Sequence, residues 1–376
     1  MNCLHNTWKD NASYFNEFHR RIWMDRVPIS GSVALTHRCN LSCIHCYLPE
    51  NRTPKANNIS DIPKEKLFTY LDQIADAGCL YLLFTGGEPL LHPDFDEIYT
   101  YAKHSGFLIT VFSNGIAIND ARLELFEEMP PQCLDITIYG ATEDTYSKIC
   151  RRLNCFRNLM QTLESLSQKH IPFKLKTILM TENQSEWRDI EAIATSFNRE
   201  LRMDPVITPR MNGDPEPLKY RAEPAAIVEM ELSSRRRFEK WVSFSQRMET
   251  QLRDLEELFE CGAGMTTFHI DVDGMMYPCL MLTHPGWDLK RGSFLKGWKN
   301  LFPKIRYIKK PIDMPCRSCK LKCICGYCPA LFGLENGRED LYSEFICRLG
   351  HVRYEAMLLK EGKKENAKEQ SQTNRT

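Results

Sequence analysis

The run SVALTHRCNLSCIHCYLPE (32–50) passes from a short apolar strand straight into three cysteines, Cys39, Cys43 and Cys46. Three and then two residues separate them. Structural cysteine sites use four ligands, whereas three close thiolates suit three irons of a 4Fe–4S cube and leave the fourth iron open. Structural zinc is the competing reading, and it needs a fourth ligand, for which His37 and His45 stand nearby. A strand ending on such a loop puts it at the carboxyl edge of a sheet, where ligands of parallel α/β folds collect.

Outward from this loop the pattern repeats. LYLLFTGG (80–87), FLITVFSNG (107–115), CLDITIYG (133–140), FKLKTILM (173–180) and LRMDPVI (201–207) read as further strands. Helical spacing appears between them in KEKLFTYLDQIADAG (64–78), PDFDEIYTYAKHSG (93–106), DARLELFEEM (120–129), a stretch over about 155–169, and SEWRDIEAIATSF (185–197). About six β/α units in a row predict a parallel sheet with crossover helices, either doubly wound or a barrel. The unusual residues (the cysteines, TGGEP, SNG and IYG) all fall at strand ends, so one composite site is expected there.

Five segments are expected. They are an N-terminal piece (1–30), the α/β core (31–210), a Pro/Gly-rich boundary loop with a long charged helix (211–260), a cysteine-dense, turn-rich region (261–350), and a helix end with a polar tail (351–376) read as disordered. Hydrophobic residues make up 43% and charged ones 26%, with 49 basic and 49 acidic side chains. That balance argues against a nucleic-acid-binding or membrane-associated protein. The run SSRRRFEKW (233–241) is the main exception, read either as a solvated helix face or as a dock for an acidic peptide leader. No apolar run reaches the ~18 residues of a membrane span, and the N-terminus lacks a signal-peptide core. The chain is therefore expected in the cytoplasm, where disulfides are rare and 16 cysteines point to metal or redox chemistry.

CNLSCIHCY (39–47) resembles the signature of the radical S-adenosylmethionine (radical SAM) enzymes, and three further segments agree in order. TGGEP (85–89) resembles the family's glycine–glycine–glutamate motif, which implies that Gly86, Gly87 and Glu88 meet the methionyl amine. SNG (113–115) resembles the ribose-binding strand end, with Ser113 and Asn114 as hydroxyl partners. DITIYGATEDTYSKICR (135–151) resembles the next strand and loop, where Thr137 and an arginine, Arg151 with Arg152 adjoining, reach the SAM carboxylate. Tyr47 is the aromatic residue that closes the cysteine signature. The resemblance implies a partial (β/α)6 TIM-like barrel and a cluster on Cys39, Cys43 and Cys46 that chelates SAM. One electron then cleaves SAM to methionine and a 5′-deoxyadenosyl radical, which abstracts hydrogen from substrate.

Beyond residue 260 there are eight more cysteines. Twelve residues separate Cys261 from Gly274 and four separate Gly274 from Cys279, and FHIDVDGMMYPC (268–279) reads as a hairpin that brings both thiols to one side. CRSCKLKCICGYC adds Cys316, Cys319, Cys323, Cys325 and Cys328, and Cys347 follows alone. Taken by itself this stretch also reads as a zinc ribbon. It resembles the SPASM extension of radical SAM peptide maturases, which binds two auxiliary 4Fe–4S clusters. The resemblance implies Cys316, Cys319, Cys325 and Cys347 on one cluster and Cys261, Cys279 and Cys328 on the other. The sequence departs from the family pattern in the Cys325–Cys328 gap, one residue short, and in the additional Cys323. Cys79 and Cys133 are read as buried fillers, and Cys150 and Cys155 receive no role.

The resemblance ranks the functions. Sulfatase-type maturases carry an acidic residue where Leu280 follows Cys279. Maturation of a ribosomally made peptide, by crosslink, thioether or epimerisation, is the leading reading for an oxidoreductase of this kind. A haem-pathway-like decarboxylase and a non-catalytic iron–sulfur redox protein are the alternatives. The expected partners are a precursor peptide and a reductant such as flavodoxin or ferredoxin. The residues ahead of the core are too few for the family's winged-helix leader-binding domain. Leader recognition is therefore expected from a separate protein, from the N-terminal segment, or from the basic run at Arg235, Arg236 and Arg237.

Overall fold

The computed structural model describes residues 11–49, 61–233, 238–239, 241–243 and 256–373. The basic run at Arg235, Arg236 and Arg237 lies outside the described residues, as does much of the charged helix expected over 225–258.

After an N-terminal helix α1 (Asn11–Met24) come six parallel strands: β1 (Ser30–Thr36), β2 (Tyr81–Gly86), β3 (Leu108–Ser113), β4 (Cys133–Thr137), β5 (Phe173–Ile178) and β6 (Leu201–Asp204). The crossovers are α2 (Lys64–Asp76), α3 (Phe95–His104), α4 (Asp120–Glu128), the pair α5 (Glu143–Cys150) and α6 (Cys155–Gln168), and α7 (Trp187–Ser196). The six-unit reading is therefore present strand by strand. α5 lies within the stretch read as loop (to Arg151) and corrects that reading: Thr142 caps it by accepting from the Thr145 N–H at 3.3 Å.

Strand order decides between the two windings left open by the sequence. It runs β6-β5-β4-β3-β2-β1, so each strand is laid beside its predecessor without reversal. A doubly wound sheet reverses at a switch point; this one winds as a barrel does. It stays open, because the far side of β1 is taken by β7 (Thr267–Ile270), parallel to it. The antiparallel strands β8 (Met275–Tyr277) and β9 (Trp287–Asp288) follow. The cysteine-rich region therefore begins as an extension of the core sheet.

The helix-facing side of the sheet is the core, with Phe84, Phe95, Tyr99 and Phe126 all fully buried and in edge or stacked contact. The opposite face is half exposed, as the alternating burial along β3 and β5 records. Further helices among the described residues include α8 (Pro224–Glu231), α9 (Phe294–Asn300), α10 (Phe302–Arg306), α11 (Lys322–Cys325), α12 (Pro329–Asn336) and α13 (Glu344–Thr373). The last corrects one expectation: the polar tail read as disordered is helical to Thr373. Its composition forbids a packed core, yet Lys, Glu, Ala and Gln are strong helix formers, and no proline interrupts it.

Candidate active site

The three-cysteine loop leaves β1 and is pinned from several sides. Ser42 N–H donates to the Cys150 carbonyl at 3.1 Å and Ile44 N–H to that of Ile149 at 3.0 Å. The end of α5, whose last carbonyls have no partner within the helix, thereby holds the loop. Arg152 donates to the Asn40 carbonyl at 2.8 Å, whereas Arg151 caps α5 in the left-handed region and is exposed. Of the two adjacent arginines, Arg152 is the one on the loop.

Gly86 and Gly87 explain why β2 must end as it does. Gly87 N–H donates to the Thr36 carbonyl and Glu88 N–H to that of Arg38, both at 2.8 Å. A Cβ at Gly86 would lie 2.1 Å from the Thr36 carbonyl oxygen, and one at Gly87 2.3 Å from that of Arg38. The two glycines let backbone meet backbone at the root of the cysteine loop. Tyr47 closes the same corner, its hydroxyl donating to the Gly86 carbonyl at 3.2 Å.

Glu88 and the SNG turn form one buried unit. The Glu88 carboxylate is fully buried and accepts from Ser113 Oγ at 2.9 Å, the Asn114 N–H at 2.8 Å and the Leu90 N–H at 3.3 Å. Asn114 Nδ2 donates to Asn40 Oδ1 at 2.7 Å, with Cys39 Sγ at 4.0 Å. Thr137, half-buried at the end of β4, offers its carbonyl to the Tyr146 hydroxyl at 3.3 Å. Glu88, Ser113 and Asn114 thus meet one another and the loop, tying three strand ends together.

Burial pushes the Glu88 carboxyl up to about 7, against the opposing pull of its three donors. Its folded pKa lies above the unfolded value, so its contribution to stability is full below about 4.5 and fades as pH rises through about 7. We expect the cluster-free chain to lose on the order of 3 kcal/mol over that interval relative to Glu88→Gln. Thermal unfolding of both proteins from pH 4.5 to 8 checks this, and parallel curves would contradict it.

One residue missed in the sequence is Tyr139, in the IYG strand end. It is buried, its ring meets His45 edge-on at 5.0 Å, and its hydroxyl partly offsets the burial that pushes the Cys43 thiol up. Only its strand-end position signalled it. Others missed lie on the half-exposed face of the sheet: Asp135, Lys176 and Arg202, with the Lys176 ammonium 3.0 Å from the Phe112 ring centre. Burial pushes Lys176 down to about 8. The alternation Lys174–Leu175–Lys176 in FKLKTI was the available signal.

A cavity of about 210 Å³ opens at this edge, between Tyr47, Gly86 and the β7–β8 hairpin. His269, from β7, lines it while holding Ser32 Oγ at 2.8 Å through Nδ1; Leu280, directly after Cys279, faces it too.

The C-terminal thiols fall into two neighbourhoods. Burial pushes Cys279 up to about 12, reinforced by Cys328 and Cys261. It pushes Cys316 up to about 11, reinforced by Cys319 and Cys347, and Cys325 up to about 12, reinforced by Cys316 and Cys319. Cys323 is buried, and its Sγ donates to the Lys320 carbonyl at 3.3 Å. Cys79 and Cys133 are buried. Among the described residues, no three His, Cys, Asp or Glu side chains converge as they would around one ion.

An open, barrel-wound parallel sheet with a glycine-lined, three-cysteine loop at its carboxyl edge defines the class of the protein. Residues 33–193 match the family model of the radical SAM superfamily, so this part of the chain is a radical SAM domain, and the chain is an enzyme. The family brings a 4Fe–4S cluster and SAM. The chain is 23% identical over 334 residues to the AdoMet-dependent heme synthase of Methanosarcina barkeri, covering 82% of this chain and 93% of that one. It is 24% identical to the sporulation killing factor maturation protein SkfB of Bacillus subtilis (84% and 72%). It is 26% identical to the mycofactocin maturase MftC of Mycobacterium ulcerans (78% and 80%). In fold it is similar to Streptococcus suis SuiB bound to its precursor peptide SuiA, with TM-score 0.66, 15% identity, and coverage of 92% of this chain and 83% of that one. It is equally similar to anSMEcpe with bound AdoMet, with TM-score 0.66, 14% identity, and coverage of 90% and 96%. Among the described residues no helix is long and apolar enough to cross a membrane.

Proposed function

We propose that this enzyme matures a ribosomally made peptide. The observation that carries the reading is the shared chamber: the cysteine loop and the hairpin leading to Cys279 line one cavity. A substrate held there lies between the SAM site and the cysteine-rich region. The SkfB and MftC relatives, both maturation proteins by name, support it.

Cys39, Cys43 and Cys46 would hold the SAM-binding cluster, and Tyr139 and Asn114 would steady its thiolates. Gly86 and Gly87 give the methionyl group room against backbone; Glu88, Ser113 and Asn114 set that edge, with Thr137 and Arg151 or Arg152 beyond it. When bound, the cluster and SAM supply the one-electron cleavage that yields a hydrogen-abstracting radical. Cys316, Cys319, Cys325 and Cys347 would hold one auxiliary cluster, and Cys261, Cys279 and Cys328 the other. We assign the enzyme to the cytoplasm, with a precursor peptide as partner and a flavodoxin or ferredoxin as reductant. The heme-synthase relative, matched over 93% of its length, favours one second reading, decarboxylation of a tetrapyrrole.

Intact masses of the small peptides encoded beside the gene, after anaerobic co-expression in heavy water, test this. Loss of two hydrogens is expected for an oxidative crosslink or thioether, and gain of one deuterium for epimerisation. Untouched peptides beside active SAM cleavage would overturn the peptide reading in favour of the tetrapyrrole.

A further inference from the structure

The half-exposed face of the sheet is its inner side, since the crossover helices pack on the other. Val111, Leu134, Ile136 and Leu175 lie on the helix side and are fully buried. Register sets Phe112 beside Asp135, and Thr137 beside Lys176, which pairs in turn with Arg202. Successive residues of a strand alternate between faces, so these five side chains share the inner one. Thr137 ends β4, which puts Lys176 near the carboxyl edge where the cysteine loop lies.

Lys176 is the least satisfied member of this group. Its side chain is 11% exposed, and the Phe112 ring covers one side of the ammonium, its centre 3.0 Å away. A ring face attracts a cation without replacing the oxygen acceptors that water provided. The nearest carboxylate oxygen, Asp135 Oδ1, is 3.9 Å off, beyond hydrogen-bond reach. Asp135 is engaged by Arg202 instead, which donates to its other oxygen at 3.4 Å and to Asp204 at 2.8 Å. Among the described residues no oxygen accepts a hydrogen bond from the Lys176 ammonium. Lys174, exposed on the same face, adds further positive charge. A nearly buried ammonium without acceptors is costly, and the inner side is open to a group that would supply them.

We infer that Lys176 binds a carboxylate of the substrate, with Phe112 as its floor and Asp135 and Arg202 holding the ammonium in place. A monoanion suits the position better than a phosphate, whose second charge would face Asp135 and Asp204. This rests on the substrate reading proposed above and adds the feature recognised. That feature is an acidic side chain or the carboxyl terminus of the peptide, or a propionate of the tetrapyrrole.

The test measures coupling in the reconstituted holoenzyme with SAM. The probes are the peptide that co-expression shows to be modified, its versions with each acidic side chain turned into its amide, and its C-terminal amide. Wild type should lose about 10–100-fold in kcat/KM on one of these exchanges, mostly through KM. Lys176→Met should lose the same factor on the intact peptide and nothing further on that exchange. Lys176→Arg, which keeps the charge, should recover part of the loss.

Losses that simply multiply in Lys176→Met for every carboxylate would overturn the inference. So would a raised KM for SAM beside an unchanged KM for peptide, which would give the ammonium to SAM. Should Lys176→Met fail to fold, wild type decides alone, and a peptide that tolerates amidation of every carboxylate is the refuting result. Failure of the peptide reading shows separately, as no peptide modified at all. Coproporphyrin III and its methyl ester are then the probes, titrated by absorbance. Esterification should weaken binding about 10–100-fold in wild type and no further in Lys176→Met; equal weakening in both would overturn the inference.

Discussion

Replacing Cys43 with alanine is expected to reduce SAM cleavage to background. Loss of an outer-shell partner at a metal site typically costs ~10–100-fold, and loss of a ligand costs more. The fold should tolerate the change. The loop's register is set by backbone bonds from Ser42 and Ile44 to the end of α5 and by Arg152 on Asn40, none of which involves the thiol. Iron per chain should fall by one cluster, about four atoms, and 5′-deoxyadenosine should vanish from anaerobic assays. Tyr139→Phe makes the contrast, since it removes only a hydroxyl that favours the Cys43 thiolate and leaves every thiol in place. That variant should keep its iron and lose at most ~10–100-fold. Cleavage persisting in Cys43→Ala would remove this loop from the cluster.

Gly86→Ala is expected to destabilise the cluster-free chain by about 3 kcal/mol or more. Two penalties coincide at this position. The backbone has φ +138°, a conformation that L side chains rarely adopt, and the new methyl would sit 2.1 Å from the Thr36 carbonyl oxygen. Neither atom can yield, because Thr36 also accepts from Gly87 N–H through that oxygen at 2.8 Å. Gly106→Ala is the control. It too has positive φ, at +89°, but a Cβ there meets nothing within 4 Å, so only the backbone term of about 1 kcal/mol applies. Denaturant unfolding of the two variants beside wild type separates strain from collision. Equal losses would mean that the close approach of β2 to the cysteine loop contributes nothing.

Much of the core was legible because each of its signals is local. Strands announced themselves by apolar runs ending at TGG, SNG and IYG, and helices by spacing within a dozen residues. α5 was missed: at eight residues it is short, and it follows the glycine of a strand end. The Thr142 cap was the local sign available. The tail was read from hydrophobicity alone, which speaks to burial and says nothing about backbone propensity.

Some of the site could not be read because it depends on pairs distant in sequence. Glu88 invites assignment as a ligand-facing carboxylate, yet its oxygens are taken up by Ser113 and Asn114, 25 and 26 positions away. Arg151 and Arg152 are interchangeable on paper; a left-handed cap at Arg151 turns it outward and leaves Arg152 on the loop. Tyr139 looks like any strand aromatic until His45 and Cys43 are brought beneath it.

By itself, the sequence determined the chemistry on offer: three thiols on one loop, glycines where backbones meet, eight more cysteines in a turn-rich region, and the β/α rhythm that presents them at one edge. These follow from residue type and short-range spacing, which the chain carries wherever it folds. The tertiary structure alone decided the winding of the sheet, because strand order is settled by which edges remain free to pair. It also decided that β7 docks on β1 and brings the hairpin over the cysteine loop. Most of all, it decided which charges are buried. Lys310, Lys322 and Glu260 are charged residues that only the packed structure removes from water.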